Sequence, residues 1–112
     1  MADRIVGTVK WFNARKGYGN LIGSVRGYIR DETCYIGRLI VQPEFQNQGI
    51  GTRLVDAIEN HFKGMPRFEI FTGEKSERNL YLYQKLGYQI YQSRQLTDRV
   101  NLFYLEKVTA RT

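Results

Sequence analysis

The stretch that decides the fold runs from Leu39 to Gly51 and reads LIVQPEFQNQGIG. It starts with apolar and β-branched residues that are typical of a strand, and Pro43 ends that strand. Two glycines, Gly49 and Gly51, then open a helix. Glycine allows the backbone to turn sharply and to approach a ligand closely, and unpaired N–H groups at a helix N-terminus favour a phosphate or pyrophosphate. By itself, the glycine pair predicts no more than a glycine-rich entry to a helix.

The residues after this stretch predict two helices. In the first, apolar side chains recur at i, i+4 and i+8, a spacing that buries one helix face. They are Ile50, Leu54, Val55, Ile58 and Phe62. Gly64 and Pro66 end this helix. The second helix begins after Ser76, a good N-cap residue, with Lys85 in its last turn and Gly87 just past its end.

Six further segments have the β-branched and aromatic composition or the alternation of strands. They are residues 8–12, 21–30, 33–41, 68–72, 88–94 and 99–107. The second and third predict an antiparallel hairpin, and the last two turn at residues 97–98. The apolar run over residues 35–41 predicts a strand that is buried on both faces. A strand-helix-strand unit over residues 36–72 implies a parallel pair, so the predicted fold class is a mixed α/β (α+β) sheet with two helices.

Composition predicts one small domain with anionic partners. The chain has 112 residues, with 17 Lys+Arg, 11 Asp+Glu and a net charge of +6, which favours anions without identifying them. A single cysteine, Cys34, forms no internal disulfide, and no Cys/His cluster offers a metal site. No stretch reaches the ~20 apolar residues of a membrane span, and residues 1–7 lack the apolar segment of a secretory signal. A cytoplasmic protein is therefore expected.

Two motifs in the sequence point to a known family. Residues 39–51 fit the pattern V-x-P-x-x-[QR]-x-x-G-x-G, and residues 79–88, NLYLYQKLGY, fit the pattern N-x-x-x-Y-x-x-x-G-[FY]. The two motifs follow one another in the order and at the separation found in the GNAT superfamily of acetyl-CoA-dependent N-acetyltransferases. They resemble that superfamily's pyrophosphate-binding motif and its second motif. The resemblance covers residues 21–107. It implies a GNAT-like sheet, acetyl-CoA as the cofactor, and transfer of an acetyl group to a small-molecule or peptide amine.

The resemblance also assigns roles to the matching residues. Main-chain groups of Leu39, Ile40 and Val41 would pair with the pantetheine arm of the cofactor like an added strand. The pyrophosphate would be held by main-chain N–H groups of Gln46, Asn47, Gln48, Gly49, Ile50, Gly51 and Thr52. Asn79 would contact the cofactor, and Tyr83 would protonate the leaving thiolate, a role that suits a phenol with an ordinary pKa of ~10. The alternative for Tyr83 is a core position on the apolar helix face.

The general base is not identified by this resemblance. Many relatives use a glutamate in the central strand, whereas residues 35–41 contain no carboxylate. Glu32, Glu69 and Glu74 are candidates, and for each the alternative is an ordinary solvated charge. The acceptor amine is likewise not identified by the sequence.

A second resemblance concerns residues 5–19, which read IVGTVKWFNARKGYG. This segment resembles the first strand and first RNA-binding motif of cold-shock domains, small OB-type barrels that stack bases on aromatic side chains. It implies weak binding of single-stranded nucleic acid by Lys10, Trp11, Phe12, Lys16 and Tyr18. An intact cold-shock domain is excluded because the second motif and the later strands are absent. The alternative is that this strand completes the acetyltransferase sheet by pairing with residues 21–29.

The two resemblances together predict a hybrid chain, engineered or natural. Residues 1–20 form a cold-shock-like segment, and residues 21–112 form a GNAT-like domain that lacks the usual first strand and two helices. Uncovered apolar surface and unpaired strand edges favour self-association, so a homodimer, with strands exchanged, is expected. Three functions stay open at this point: an acetyl-CoA-binding transferase module with or without turnover, a nucleic-acid binder, and a folded hybrid without function.

Overall fold

A computed structural model describes residues 5–13 and 20–109. The elements follow one another as six strands and two helices within these residues. They are β1 (Ile5–Asn13), β2 (Asn20–Arg30), β3 (Thr33–Val41), α1 (Ile50–His61), β4 (Arg67–Gly73), α2 (Glu77–Lys85), β5 (Gln89–Gln95) and β6 (Asn101–Val108). A short 3-10 turn, Pro43–Phe45, follows β3. None of the helices formed by the described residues has both the length and the apolar character needed to cross a membrane.

The strands form a single mixed sheet in the order β1-β2-β3-β4-β6-β5. β3 and β4 are parallel, and the other neighbours in this order are antiparallel. The predicted α+β fold class is therefore confirmed. β1 pairs with β2, with Val9 opposite Val25. The first strand thus completes the sheet, as the second interpretation of residues 5–19 predicted.

Helix α1 packs across one face of the sheet. Ile50, Leu54, Val55 and Ile58 are buried, as their spacing predicted. The helix comes close to the sheet because β2 presents glycine there. A Cβ at Gly27 would lie 3.0 Å from Ile58 Cγ1, which is closer than ordinary van der Waals contact. The small residues of β2 therefore set how closely helix and sheet pack.

The prediction that β3 is buried on both faces is wrong for its second half, where Ile40 is 59% exposed. β3 pairs with β4 only from Thr33 to Ile36, so beyond that point one edge of β3 has no strand beside it. The register of β3 against β2 also shifts by one residue around Arg38, whose φ of 55° is left-handed. This β-bulge bends the end of β3, so the residues after it are not covered on both faces. The apolar residues at the end of β3 therefore lie in a strand segment with one open edge and are not a sign of burial on both faces.

The remaining predicted boundaries agree with the structure to within two residues, except that β1 begins at Ile5, three residues before its predicted start. Ser76 is the N-cap of α2, but its side chain makes no capping hydrogen bond; its own N–H donates to Gly73 O at 3.0 Å. Gly87, with a φ of 103°, follows the helix as expected. The turn between β5 and β6 is closed by Thr97, whose Oγ1 accepts hydrogen bonds from the N–H groups of Arg99 and Val100 at 3.1 and 3.0 Å.

Three buried side chains that lose a proton at high pH, one thiol and two phenols, predict that the folded protein becomes less stable in alkali. Burial raises the pKa of Cys34 from 9.0 and that of Tyr83 from 10.0 to about 12 in each case, and burial together with Glu59 raises the pKa of Tyr88. The unfolded chain releases these protons at lower pH than the native state does, so stability is complete below about pH 9 and decreases above it. We expect the free energy of unfolding to fall by up to about 1.4 kcal/mol per pH unit for each ionising group.

Urea unfolding measured from about pH 8 to about pH 11 tests this expectation. The Cys34→Ala variant should lose the part of the decrease that begins near pH 9. A urea midpoint that stays constant over this range would contradict the assignment.

Candidate cofactor site

A cleft of about 670 Å³ lies between the end of β3, the start of α1 and the facing side of α2. Nine of the eleven predicted cofactor residues line it. They are Leu39, Val41, Gln46, Asn47, Gly49, Ile50, Gly51, Thr52 and Asn79. The two sequence motifs, separated along the chain, therefore meet at one concave surface.

The wall formed by the start of α1 is a row of unpaired backbone donors. The first intrahelical hydrogen bond runs from Arg53 N–H to Gly49 O at 3.1 Å. Before it, the N–H groups of residues 47–52 find no acceptor within the described part of the chain. Gly49 has a φ of 79° and is the N-cap of α1, a conformation that glycine adopts without strain. Six consecutive donors at the positive end of a helix dipole form a binding site for an anion such as pyrophosphate.

Side chains of the loop and of α2 hold this row in place. Gln46 Nε2 donates to Val41 O at 3.1 Å, which ties the loop to the end of β3. Arg78 of α2 donates to Gln46 Oε1. Gln46 therefore links β3, the glycine loop and α2, which explains why a glutamine occurs at this place in the motif.

Two predicted cofactor residues do not line the cleft. The side chain of Ile40 is exposed, because successive side chains of a strand point to opposite faces and Leu39 and Val41 face the cleft. Gln48 turns back along the loop, and its Nε2 donates to Glu44 O at 3.4 Å. For both residues the prediction concerned main-chain groups, and it stays a prediction for those.

Sequence reasoning missed the cations on the opposite wall of the cleft. Arg78 and Lys85 both line the cleft. They are seven residues apart in α2, so they lie on the same side of the helix. No local signal in the sequence distinguishes them from cations that face solvent. Together with the N–H row of α1, they surround the cleft with positive charge on two sides.

Asn79 and Tyr83, the two predicted functional residues of α2, have different surroundings. Asn79 lines the cleft, and its Nδ2 donates to Thr72 Oγ1 at 3.4 Å. Tyr83 is buried, does not line the cleft, and packs with its ring centroid 6.3 Å from that of Tyr88. Burial raises the pKa of Tyr83 to about 12. Its hydroxyl makes no hydrogen bond with another described residue.

The three candidate general bases lie away from the cleft. Glu69 is on the sheet face opposite α1, where its Oε1 accepts from the Tyr91 hydroxyl at 2.7 Å and pairs with Arg67 Nη2 at 2.9 Å. Glu32 lies in the exposed turn between β2 and β3, and Glu74 is also exposed. None of the three lines the cofactor cleft.

The predicted nucleic-acid residues are only partly within the described chain. Lys10 is exposed on β1. Trp11 is half-buried against the core, and the Arg53 guanidinium carbon lies 5.5 Å from its ring centroid. Lys16, Tyr18 and the side chain of Phe12 lie outside the described residues. The one tryptophan thus contributes to packing between β1 and α1.

Comparison with solved structures shows the same fold in several acetyltransferases. An acetyltransferase from Bacillus cereus superposes with a TM-score of 0.80 and 21% identity over 94% of this chain and 74% of its own. A GNAT family acetyltransferase from Elizabethkingia anophelis with acetyl-CoA bound has a TM-score of 0.71 and 29% identity over 80% of this chain and 69% of its own. The PaiA N-acetyltransferase from Thermoplasma acidophilum in complex with coenzyme A has a TM-score of 0.73 and 22% identity over 92% of this chain and 60% of its own.

A family model gives the same result from sequence. The model of the acetyltransferase (GNAT) family matches residues 4–88, which include β1, the glycine loop and α2. The match begins before the cold-shock-like strand, so that strand lies within the region assigned to the family. Because the match covers well over half of the 112 residues, the chain belongs to the acetyltransferase (GNAT) family.

Proposed function

We propose that this protein binds acetyl-CoA in the cleft between α1 and α2 and transfers its acetyl group to an amine. The observation that supports this most directly is the row of unpaired N–H groups over residues 47–52. The first N–H groups of a helix have no intrahelical acceptor, so they can donate to a bound anion. A row of six at a helix N-terminus is suited to the pyrophosphate of coenzyme A.

The residues around the cleft fit the other parts of this cofactor. Arg78 and Lys85 add positive charge next to the pyrophosphate site. Beyond Ile36 the edge of β3 has no strand partner among the described residues, so main-chain groups of residues 39–41, apart from Val41 O, which accepts from Gln46, are available to pair with the amides of a pantetheine arm. Gly51 is also required for space, because a Cβ there would lie 3.2 Å from Leu82 Cδ2. Asn79 closes the cleft from α2.

Acetyl transfer requires an amine nucleophile and a stabilised leaving thiolate. When bound, the cofactor supplies the acetyl thioester. The amine forms the new C–N bond as the C–S bond breaks, the amine releases a proton, and Tyr83 is the donor that we assign to the sulfur. Burial raises the pKa of this phenol to about 12, so it holds its proton at neutral pH but is a weaker acid than an exposed tyrosine.

A thermal-shift experiment tests cofactor binding. At 100 times its Kd, a ligand that binds only the native state adds about 2.7 kcal/mol of stability, which raises the Tm of a domain of this size by several degrees. We therefore expect acetyl-CoA and coenzyme A to raise the Tm and adenosine to have little effect. An unchanged Tm at millimolar acetyl-CoA would overturn the proposal.

Other expectations for the chain stay predictions. Base stacking on Trp11 is the less favoured interpretation of β1, because Arg53 and the core already contact the indole. The hybrid origin of residues 1–20 likewise stays a prediction. Self-association is compatible with β5, an edge strand of the described sheet whose seven residues are all exposed.

A further inference from the structure

A second cavity, of about 460 Å³, lies on the face of the sheet opposite α1. Cys34 and Ile36 of β3 point into the core under α1, so Tyr35 between them points to the other face. By the same alternation, Phe68 and Ile70 of β4 are buried and leave Glu69 and Phe71 on that face. This cavity therefore does not overlap with the cofactor cleft.

Two aromatic pairs form the walls of this cavity. Tyr28 and Tyr35, on β2 and β3, are stacked with ring centroids 5.2 Å apart. Phe71 and Tyr104, on β4 and β6, have centroids 5.7 Å apart. One pair lies on each side of the boundary between β3 and β4, and Phe71 is 54% exposed. The two pairs give the cavity an aromatic surface on which a planar group can pack.

The charge of the cavity is positive. Arg26 and Arg38 line it, and neither forms an ion pair with any residue in the described ranges. Glu69, which also lines it, is already paired with Arg67 at 2.9 Å. Strict alternation would place Arg38 on the same face as Ile36; the bulge in β3 instead brings it to this cavity. The arginines are therefore unpaired donors beside an aromatic surface.

The two cavities adjoin at one short piece of β3. Gly37 and Arg38 line the second cavity, and the next residue, Leu39, lines the cofactor cleft. Among the described residues, β3 no longer pairs with β4 at this point. If the cofactor binds as proposed above, its thioester and a molecule in the second cavity would approach each other at residues 37–39 of β3.

We propose that the second cavity binds the acceptor and that the acceptor is an amine with an adjacent carboxylate and an aromatic body, such as an aromatic α-amino acid. This inference rests on the proposed function. Arg26 and Arg38 would hold the carboxylate by charge-assisted hydrogen bonds, and the aromatic pairs would hold the ring. Nearby positive charge also lowers the pKa of the ammonium group and so increases the fraction of neutral, nucleophilic amine. The neutral amine attacks the acetyl carbon, the C–S bond breaks, the amine proton passes to solvent, and the thiolate is protonated.

Calorimetric titration of the full chain with L-phenylalanine and with phenethylamine tests the proposal without turnover. The two probes share the amine and the ring and differ only in the carboxylate. We expect L-phenylalanine to bind about 10- to 100-fold more tightly, as for one or two hydrogen bonds to a charged group. Arg26→Gln and Arg38→Asn should each remove most of this preference. Asparagine tolerates the left-handed backbone at position 38.

Arg30→Gln is the matched control, because Arg30 is an exposed arginine of β2 that does not line the cavity. It should leave the preference unchanged. Equal affinities for the two probes, or a preference that survives both cavity variants, would overturn the inference. A thermal-shift measurement with acetyl-CoA on the same samples distinguishes failure of the acceptor proposal from failure of the proposed cofactor binding. A shift without carboxylate preference overturns only the acceptor class. A preference without a shift overturns only the cofactor assignment and supports an anion-binding cavity.

Discussion

Replacing Gly49 by valine should weaken acetyl-CoA binding by at least about 100-fold, so that the thermal shift disappears. Gly49 has a φ of 79°, which valine adopts only with strain. A side chain there would project into open space beside the N–H row, where the pyrophosphate is proposed to bind. Loss of two hydrogen bonds to a charged group, at about 1.5–3 kcal/mol each, gives a change of this size.

Gly64→Val is the matched control for this variant. Gly64 also has a positive φ, of 99°, and also has no atom within 4 Å of its Cβ position, but it follows the other end of α1. Both variants should therefore lose similar stability through backbone strain. We expect only Gly49→Val to lose the response to acetyl-CoA. Equal responses in the two variants would mean that the cofactor binds elsewhere.

Replacing Tyr83 by phenylalanine should lower kcat by about 10²- to 10⁴-fold, the usual contribution of a positioned acid. The substitution keeps the buried ring and removes only the hydroxyl, which makes no hydrogen bond with another described residue. Acetyl-CoA affinity and stability should therefore change little. Release of free thiol from acetyl-CoA in the presence of an accepted amine measures this effect.

Tyr81→Phe serves as the control for the removal of a hydroxyl from α2. Tyr81 is 69% exposed and lines the cleft, yet it has no proposed role in proton transfer. Its kcat should stay close to that of the wild type. An unchanged kcat in Tyr83→Phe would instead assign Tyr83 to the core, the alternative that its position on the apolar face of α2 left open.

Much of the site could be predicted from short-range pattern. Gly49, Gly51 and the residues between them were identified because a glycine-rich turn before a helix has a local physical meaning. Arg78 and Lys85 were missed, since an exposed cation on a helix has the same local pattern whether it faces solvent or a cleft. The second cavity was missed because its two aromatic pairs combine residues from four strands, which no local pattern brings together.

The prediction for β3 shows why burial is harder to predict than strand formation. Residues 33–41 form the predicted strand to the residue, because β-branched and apolar side chains favour extended backbone wherever they lie. Their burial depends on the neighbour. β4 pairs with β3 only as far as Ile36, and no local feature of the sequence states where that pairing ends.

The sequence by itself determined the order of strands and helices, the buried face of α1 and the two motifs that meet in the cleft. These depend on periodicity, caps and turns, which act over a few residues. Only the tertiary structure decided that β1 completes the sheet, that β3 separates from β4, and that Gly37 to Leu39 adjoin two cavities. Such features result from pairing between residues distant in the chain, and their energies depend on register and packing rather than on residue type alone.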